Sequence, residues 1–537
     1  MKRVIAASSI VVVVAITALV PGPGLASSRG SVIPAGLAAA IQARLGAGMM
    51  RTSSAAQGVP GPLLGLSVAL SADGTTALVG APGVGGGKGA AYIFHAADAG
   101  SWSSSGTPVA TLTPKHARAT GLFGLNVALS ADGTIAFVGA PFNGSGVFGS
   151  GGAIYAFRAS GEDAWTSSST PKATLAASGG LFVGIGTLAL SSDGTTLVTG
   201  APDTNGGVAY VYHASSEGAW ASTSTPTATL SNASEVQGDS GVGYAVAISA
   251  DGTTALVGDS GNPGGGGAYV YHASAEGAWT SSVTPGAILS DSNTGSKAAL
   301  GNALALSSDG TVALLGAPGI NSDTGEADVF HASGEAAWAS TSTPTATLAN
   351  AGGSKGDYFG VNLALSTDGT TALVFAPGPD HRRGAAYVFR APGEGSWASS
   401  DAPGATLTRF GAHADDGLEV GVLSADGATA LAGVPGVNLE TGAAEIFHVA
   451  VEASWASTST PNATLTDKKL AACVVPKLKW LKLFAAKSAL AVGRCRLGKV
   501  TKVHAKTMRS RGRVLSQNHK PRARLAINAK VAVKVGK

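Results

Sequence analysis

Short runs of Val, Ala, Leu and Thr alternate along most of this chain with tight turns rich in Gly, Asp and Ser. One turn repeats. An Asp-Gly preceded by Ser-x recurs at Asp73, Asp132, Asp193, Asp251, Asp309, Asp368 and Asp426, 58–61 residues apart. Each stands between two β-rich runs, such as Val68-Ala69-Leu70-Ser71 and Thr76-Ala77-Leu78-Val79-Gly80. Asp-Gly in that setting predicts a hairpin, because Gly tolerates positive φ at little cost. A third strand follows, for example Ala209-Tyr210-Val211-Tyr212, and a fourth is expected to begin at a tryptophan and run through Thr-Pro to Ala-Thr-Leu, as from Trp220 through Pro226 to Leu230. Four strands per repeat, seven times over, predict an all-β chain folded as a seven-bladed β-propeller.

Spacing within the repeat separates fixed parts from free ones. The aromatic closing the third strand (Phe94, Phe157, Tyr212, Tyr271, Phe330, Phe389, Phe447) lies eight residues before its tryptophan in every copy. Length changes fall only in the loop between strands two and three, longest at Phe142–Gly151, and in the link from strand four to the next blade. Because strands alternate in direction, these two connections share one face of the disc. One face is therefore templated and the other variable. A variable face on a rigid scaffold is where binding is expected; the alternative, drift without constraint, stays open.

Composition agrees with this picture. Hydrophobic residues make up 45% and charged residues 13% of the 537 residues, with 77 glycines. That balance suits a β-rich globular chain and excludes disorder. The net charge of +4 hides an asymmetry. Residues 477–537 carry 18 Lys/Arg and no acid, whereas the central part has 16 Lys/Arg against all 32 acids. A purely basic segment seeks polyanions.

The start, Met1-Lys2-Arg3 followed by an apolar run to Val20 and Pro21–Ala26, reads as a signal peptide over 1–26; an uncleaved anchor is the alternative. Residues 27–62 read as a linker in which Leu37, Ile41 and Leu45 have helical spacing. The domains expected next are the propeller at 63–466, a linker at 467–472 and a basic domain at 473–537. Cys473 and Cys495 are the only cysteines. In an exported chain they are expected to form a disulfide, with two reduced thiols as the alternative.

Little in the sequence carries chemistry. His95, His213, His272, His331 and His448 occupy one repeated slot, filled by Arg158 and Arg390 in the other two blades. Repeated once per blade at the end of strand three, they cannot converge on one ion. Glu162, Glu217, Glu276, Glu335 and Glu394 recur likewise and read as scaffold. No HExxH helix or phosphate loop occurs. The chain is thus expected not to be an enzyme, to have no catalytic residue or dedicated metal site and to need no cofactor. Blade-specific polar residues on the variable face are the candidate ligand-binding set: His381, Arg382 and Arg383 in one loop, and Arg409, His413, Asp415 and Asp416 in a neighbouring link.

Two resemblances refine the reading. Gly-Ala-Pro closes strand two at 80–82, 139–141, 200–202 and 316–318, and Phe-Gly opens strand one at 123–124 and 359–360. Residues 63–466 thereby resemble FG-GAP repeats, as in the integrin α-subunit propeller and many bacterial surface proteins. Departures are Gly258-Asp259-Ser260, Phe375-Ala376-Pro377, Gly433-Val434-Pro435 and the lack of a clear Phe-Gly in blade seven. Members often hold calcium between strands one and two. Here that turn offers one carboxylate, too few for the roughly six to eight oxygens calcium takes. Asp203, Asn205, Asn321, Asp323 and Glu326 remain as scattered oxygens for weak calcium binding. The segment from Cys473, with Val475-Pro476-Lys477-Leu478, Phe484–Leu490, Cys495–Val500, Gly512–Gln517 and Lys530–Val533, resembles a PASTA domain, a small α+β module often linked to peptidoglycan recognition. It departs at Trp480 or Leu481, one of which stands where a Gly is usual, and at His519–Arg522, where Pro-x-x-Gly is usual.

These readings converge on a secreted or cell-wall-associated binding or adhesion protein. Its variable face would meet an unknown protein or glycan. Its basic tail would attach to peptidoglycan or an anionic wall polymer. Neither nucleic-acid binding nor integral membrane insertion is expected. A structural envelope protein without specific ligand is the alternative, with an enzyme using a propeller funnel behind it.

Overall fold

A computed structural model describes residues 61–537 apart from 117–120, 144–150, 179–182, 185, 203, 205, 235–240, 263, 296, 379–383, 411–416, 438–440, 471, 476, 493–494, 505–509, 522 and 527–528. The signal at 1–26 and all but the end of the linker at 27–62 lie outside the described residues.

Seven four-stranded antiparallel sheets follow one another, each with its strands in sequence order. Blade one is Ser67–Leu70, Thr76–Ala81, Ala90–His95 and Ala110–Leu112. Blade seven is Val420–Leu423, Thr429–Val434, Ala443–His448 and Ala463–Leu465. This is a seven-bladed β-propeller. Every residue of each second strand is buried. A strand covered on both faces carries a continuous apolar run rather than alternation, which is why the repeat reads as it does. The core is divided into layers between neighbouring blades. One layer joins Val312, Leu314 and Val329 of blade five to Val374, Tyr387 and Phe389 of blade six.

The Ser-x-Asp-Gly turn is held by its own side chains. In blade one Ser71 Oγ and the Thr75 amide both donate to Asp73 Oδ1, at 2.7 and 3.0 Å. Partial burial works to raise Asp73, but these bonds outweigh it and hold the carboxyl below its ordinary value. The tryptophan fixes the other end of the repeat. Its Nε1–H donates to the carbonyl of the turn glycine in all seven blades, from Trp102 to Gly74 through Trp455 to Gly427.

Strand four is shorter than the sequence suggests. It is only the three residues of Ala-Thr-Leu, as at Ala228–Leu230. The proline two residues earlier has no N–H to continue a ladder. The stretch before that proline instead lies against the preceding blade in single parallel bridges, such as Leu112 with Ser168 and Leu175 with Thr223.

The Phe-Gly and Gly-Ala-Pro elements meet across blades. A Cβ on Gly80 would lie 2.2 Å from the carbonyl oxygen of Gly124, whose own φ is +88°. Gly316 meets Gly360 and Gly433 meets Gly65 in the same way. Two departures prove to be one. Blade six has Phe375 in place of the glycine, and its ring occupies the space beside Gly421 of blade seven, which lacks a Phe-Gly.

Blade seven closes directly on blade one. Leu465 bridges Ser105 and Gly442 bridges Leu64, and Leu431, Ile446 and Leu465 share a core layer with Leu64, Val79, Tyr92 and Phe94. Among the described residues no strand is exchanged at this seam. Residues 466–470, within and beside the expected linker, follow blade one: the Thr466 and Lys468 amides donate to Ser105 and Gly106 carbonyls. Beyond them Ala472–Val474 pairs with Arg524–Ala526. A ten-residue helix, α1 (Leu483–Val492), precedes a three-stranded sheet of Arg496–Val503, Lys530–Gly536 and Val514–Gln517. Val475, Leu478, Leu490, Val514, Val531 and Val533 form its core. Among the described residues no helix is long and apolar enough to cross a membrane.

Candidate functional site

Strand register assigns the faces. Ser67 lies opposite Gly80, and Leu70 opposite Ala77. The starts of strands one and the ends of strands two therefore share the variable face, while the Asp-Gly turns share the other.

The templated face is a ring of bonds between blades. The strand-three histidines accept or donate to a neighbouring threonine: Thr76 Oγ1 lies 2.8 Å from His95 Nδ1, and His213, His272 and His448 repeat the contact. The recurrent glutamate leans onto the preceding blade. Thr75 donates to Glu162, Thr134 to Glu217, Thr196 to Glu276 and Thr370 to Glu452. Arg158 pairs with Glu217 at 3.4 Å and Arg390 with Glu452 at 3.2 Å. The arginines and glutamates serve blade-to-blade cohesion, whereas these histidines tie strands two and three of their own blade. The seam between blades seven and one departs from this pattern. Blade one has Ala99 where other blades have glutamate, and blade seven has Ala428 where other turns have threonine.

On the variable face the axis opens into a cavity of about 110 Å³, to which every blade contributes: Leu66, Leu125, Thr187, Tyr244, Asn302, Asn362 and Glu419. Polar side chains around the axis tie most of the first strands to the next. Ser67 donates to the Gly124 carbonyl, Asn126 to Gly184, Thr187 to Val246 and Asn302 to Val361. The mouth is thus rigid and mixed in polarity, with room for several water-sized groups.

A second feature of this face lies where the link from one blade meets the third strand of the next. The strand-three position two before the closing aromatic is Tyr92, Tyr155, Tyr210, Tyr269, Asp328, Tyr387 and Glu445 in the seven blades. At three of the interfaces it meets the residue two beyond the leucine that ends the previous strand four. Between blades five and six, Asn350 Nδ2 donates to the Tyr387 hydroxyl at 3.1 Å. Between blades six and seven, the pair is Arg409 and Glu445, a salt bridge at 2.5 Å with the glutamate side chain 1% exposed. Between blades four and five, the pair is two acids, Asp291 and Asp328, joined by Glu326. One oxygen from each lies within 4.8 Å of the others. Asp291 is 5%, Glu326 9% and Asp328 0% exposed. Asp328 Oδ1 accepts from Thr347 Oγ1, while Oδ2 is buried without a hydrogen-bond partner. Burial, with the Asp291 charge adding to it, pushes Glu326 up to about 7. Burial, then Glu326 and Asp291, pushes Asp328 up to about 8. An oxygen-only cluster of this kind can take a proton or a hard cation.

Of the candidate ligand-binding residues, His381, Arg382, Arg383, His413, Asp415 and Asp416 lie outside the described residues, as do Asp203 and Asn205. Arg409 is described and is held by Glu445. Glu326 joins Asp291 and Asp328, whereas Asn321 and Asp323 stand in a positive-φ turn of the loop before it. Sequence reasoning missed Asp291 and Asp328. The available signal was the replacement of a repeated tyrosine by an acid at Asp328.

Residues 343–389 match the model of the FG-GAP repeat family. That stretch takes in strand four of blade five and the first three strands of blade six. Together with the seven blades, it supports an FG-GAP β-propeller. No curated protein matches the chain. Among similar solved structures is the Dos1 propeller, at 10% identity and a TM-score of 0.44, over 73% of this chain and 81% of that one. Another is hydrazine synthase of Kuenenia stuttgartiensis, at 13% identity and a TM-score of 0.44, over 73% of this chain and 97% of that one. The second is an enzyme, so the expectation that this chain is not an enzyme is withdrawn; at that identity the likeness assigns it no activity either.

Proposed function

We propose that the chain is a secreted or cell-wall-associated binding and adhesion protein of bacterial surface type. One observation carries the reading. Most departures from the repeat gather on one face, around the axial mouth and the inter-blade links, while the opposite face, apart from the seam between blades seven and one, is tied by repeated bonds. A scaffold that fixes one face and varies the other is organised for recognition. The basic segment 473–537 is a PASTA-like α+β module that attaches to peptidoglycan or an anionic wall polymer. Its excess of 18 cations supports attachment to polyanions. A disulfide between Cys473 and Cys495 belongs to the same reading: Cys495 is buried, no described cysteine is free, and the chain carries the export-type start at 1–26.

Co-sedimentation of the full chain with insoluble peptidoglycan over a salt series tests the attachment, with a chain ending at residue 472 as comparator. Pelleting that needs 473–537 is the expected outcome. Persistence at high salt would mean specific recognition, and loss with salt a charge-driven anchor. Absence of pelleting at low salt would remove the wall-attachment reading.

A further inference from the structure

We propose that Asp291, Glu326 and Asp328 form a binding site for one hard divalent cation of the calcium class, on the variable face between blades four and five. The argument begins with a comparison inside the molecule. In the same position between blades six and seven, a buried acid is neutralised by a side chain of the protein, Arg409 on Glu445. Between blades four and five the acid at that position is kept, but its partner is a second acid and a third is added. None of the three forms an ion pair with Lys, Arg or His among the described residues. Three ionised carboxylates sharing one buried place without a counter-charge are costly unless a proton or a cation joins them.

Asp328 supplies the independent observation. It is 0% exposed and a member of the cluster, and its Oδ2 is buried without a hydrogen-bond partner. Buried polar atoms are satisfied in the great majority of cases, so an orphaned carboxylate oxygen beside two other carboxylates calls for a ligand. The donor set is oxygen only, which suits a hard cation rather than zinc or copper. Three carboxylates offer up to about six oxygens, and water supplies the rest. The site is separate from the turn between strands one and two, where each blade offers a single aspartate.

Calcium chloride titrated calorimetrically into chelator-stripped full chain tests the site, with melting temperature as a second readout. The expected result is one calcium per chain with an affinity of roughly 10⁻⁴ M or tighter, and a rise in melting temperature of about 5 °C at 10 mM calcium. Asp328→Tyr restores the residue of five other blades and should abolish the calcium response. Asp291→Arg copies the Arg409 arrangement, replaces the ion with a tethered charge and should do the same. Both should melt in chelator no lower than the parent. Glu326→Gln keeps size and shape, should weaken binding at least tenfold, and decides the matter if either larger change misfolds. Absence of binding heat from the parent chain, or an undiminished response in these variants, would overturn the proposal.

Discussion

Trp220 shows how a single side chain sets the repeat. Its indole donates to Gly194 at 2.8 Å and packs edge-on against Phe137, with ring centroids 4.9 Å apart. Trp220→Phe removes the donor and keeps most of the apolar surface. It should cost about 1–2 kcal/mol in urea unfolding, whereas Trp220→Ala should cost about 3–5 kcal/mol. The turn aspartates carry a pH signature. At Asp193 burial tends to raise the carboxyl, but the bonds from Ser191 and Thr195 prevail and hold it below 3.8. A depressed folded value gives stability that is fully present above the unfolded value and lost as pH falls through the folded one. Asp193→Asn should therefore lower the melting temperature at pH 6, and the gap to the parent should close as pH drops below 3.8. These residues were legible because each repeats seven times. Asp291 and Asp328 were not, because their meaning depends on two positions 37 residues apart being brought together by blade stacking.

At the level of elements, the two signature motifs are halves of one contact. Gly316 must be glycine because a Cβ would stand 1.9 Å from the Gly360 carbonyl oxygen of the next blade. Gly316→Ala should destabilise by about 1–3 kcal/mol through displacement of that backbone, measured as a lower midpoint in urea. Sequence alone showed Phe375 and the missing Phe-Gly of blade seven as unrelated lapses. The structure joins them, because the Phe375 ring fills what the absent motif leaves. The fourth strand was overestimated for a similar reason. A run rich in Ser and Thr before a proline looks extended, and it is extended, but its bonds go singly to the neighbouring blade.

Across the whole molecule, seven similar interfaces close a ring, and one of them is poorer than the rest. Six carry a glutamate reaching back toward the previous turn; the seam between blades seven and one has Ala99 and Ala428 in those places. Ala99→Glu combined with Ala428→Thr should supply the missing bond and raise the melting temperature by about 1–3 °C, while Thr75→Ala at an intact interface should lower it. Hydrogen exchange should show the Leu465–Ser105 bridge opening before its counterpart at Leu348 and Ser400. Fold and blade count were readable from periodicity. The unequal seam was written as plainly, in two alanines, but without the inter-blade geometry nothing marks an alanine as an absence.

That seam is also where the chain departs. Leu465 lies at the variable-face end of its strand, and only six residues separate it from Ala472, most of them bound along blade one. Even unfastened, such a leash would reach no more than roughly 25 Å. The cationic segment is consequently moored at the rim of the same face that carries the axial mouth. A partner broad enough to cover that face must share its footprint with the mooring, so occupancy of one should be felt by the other.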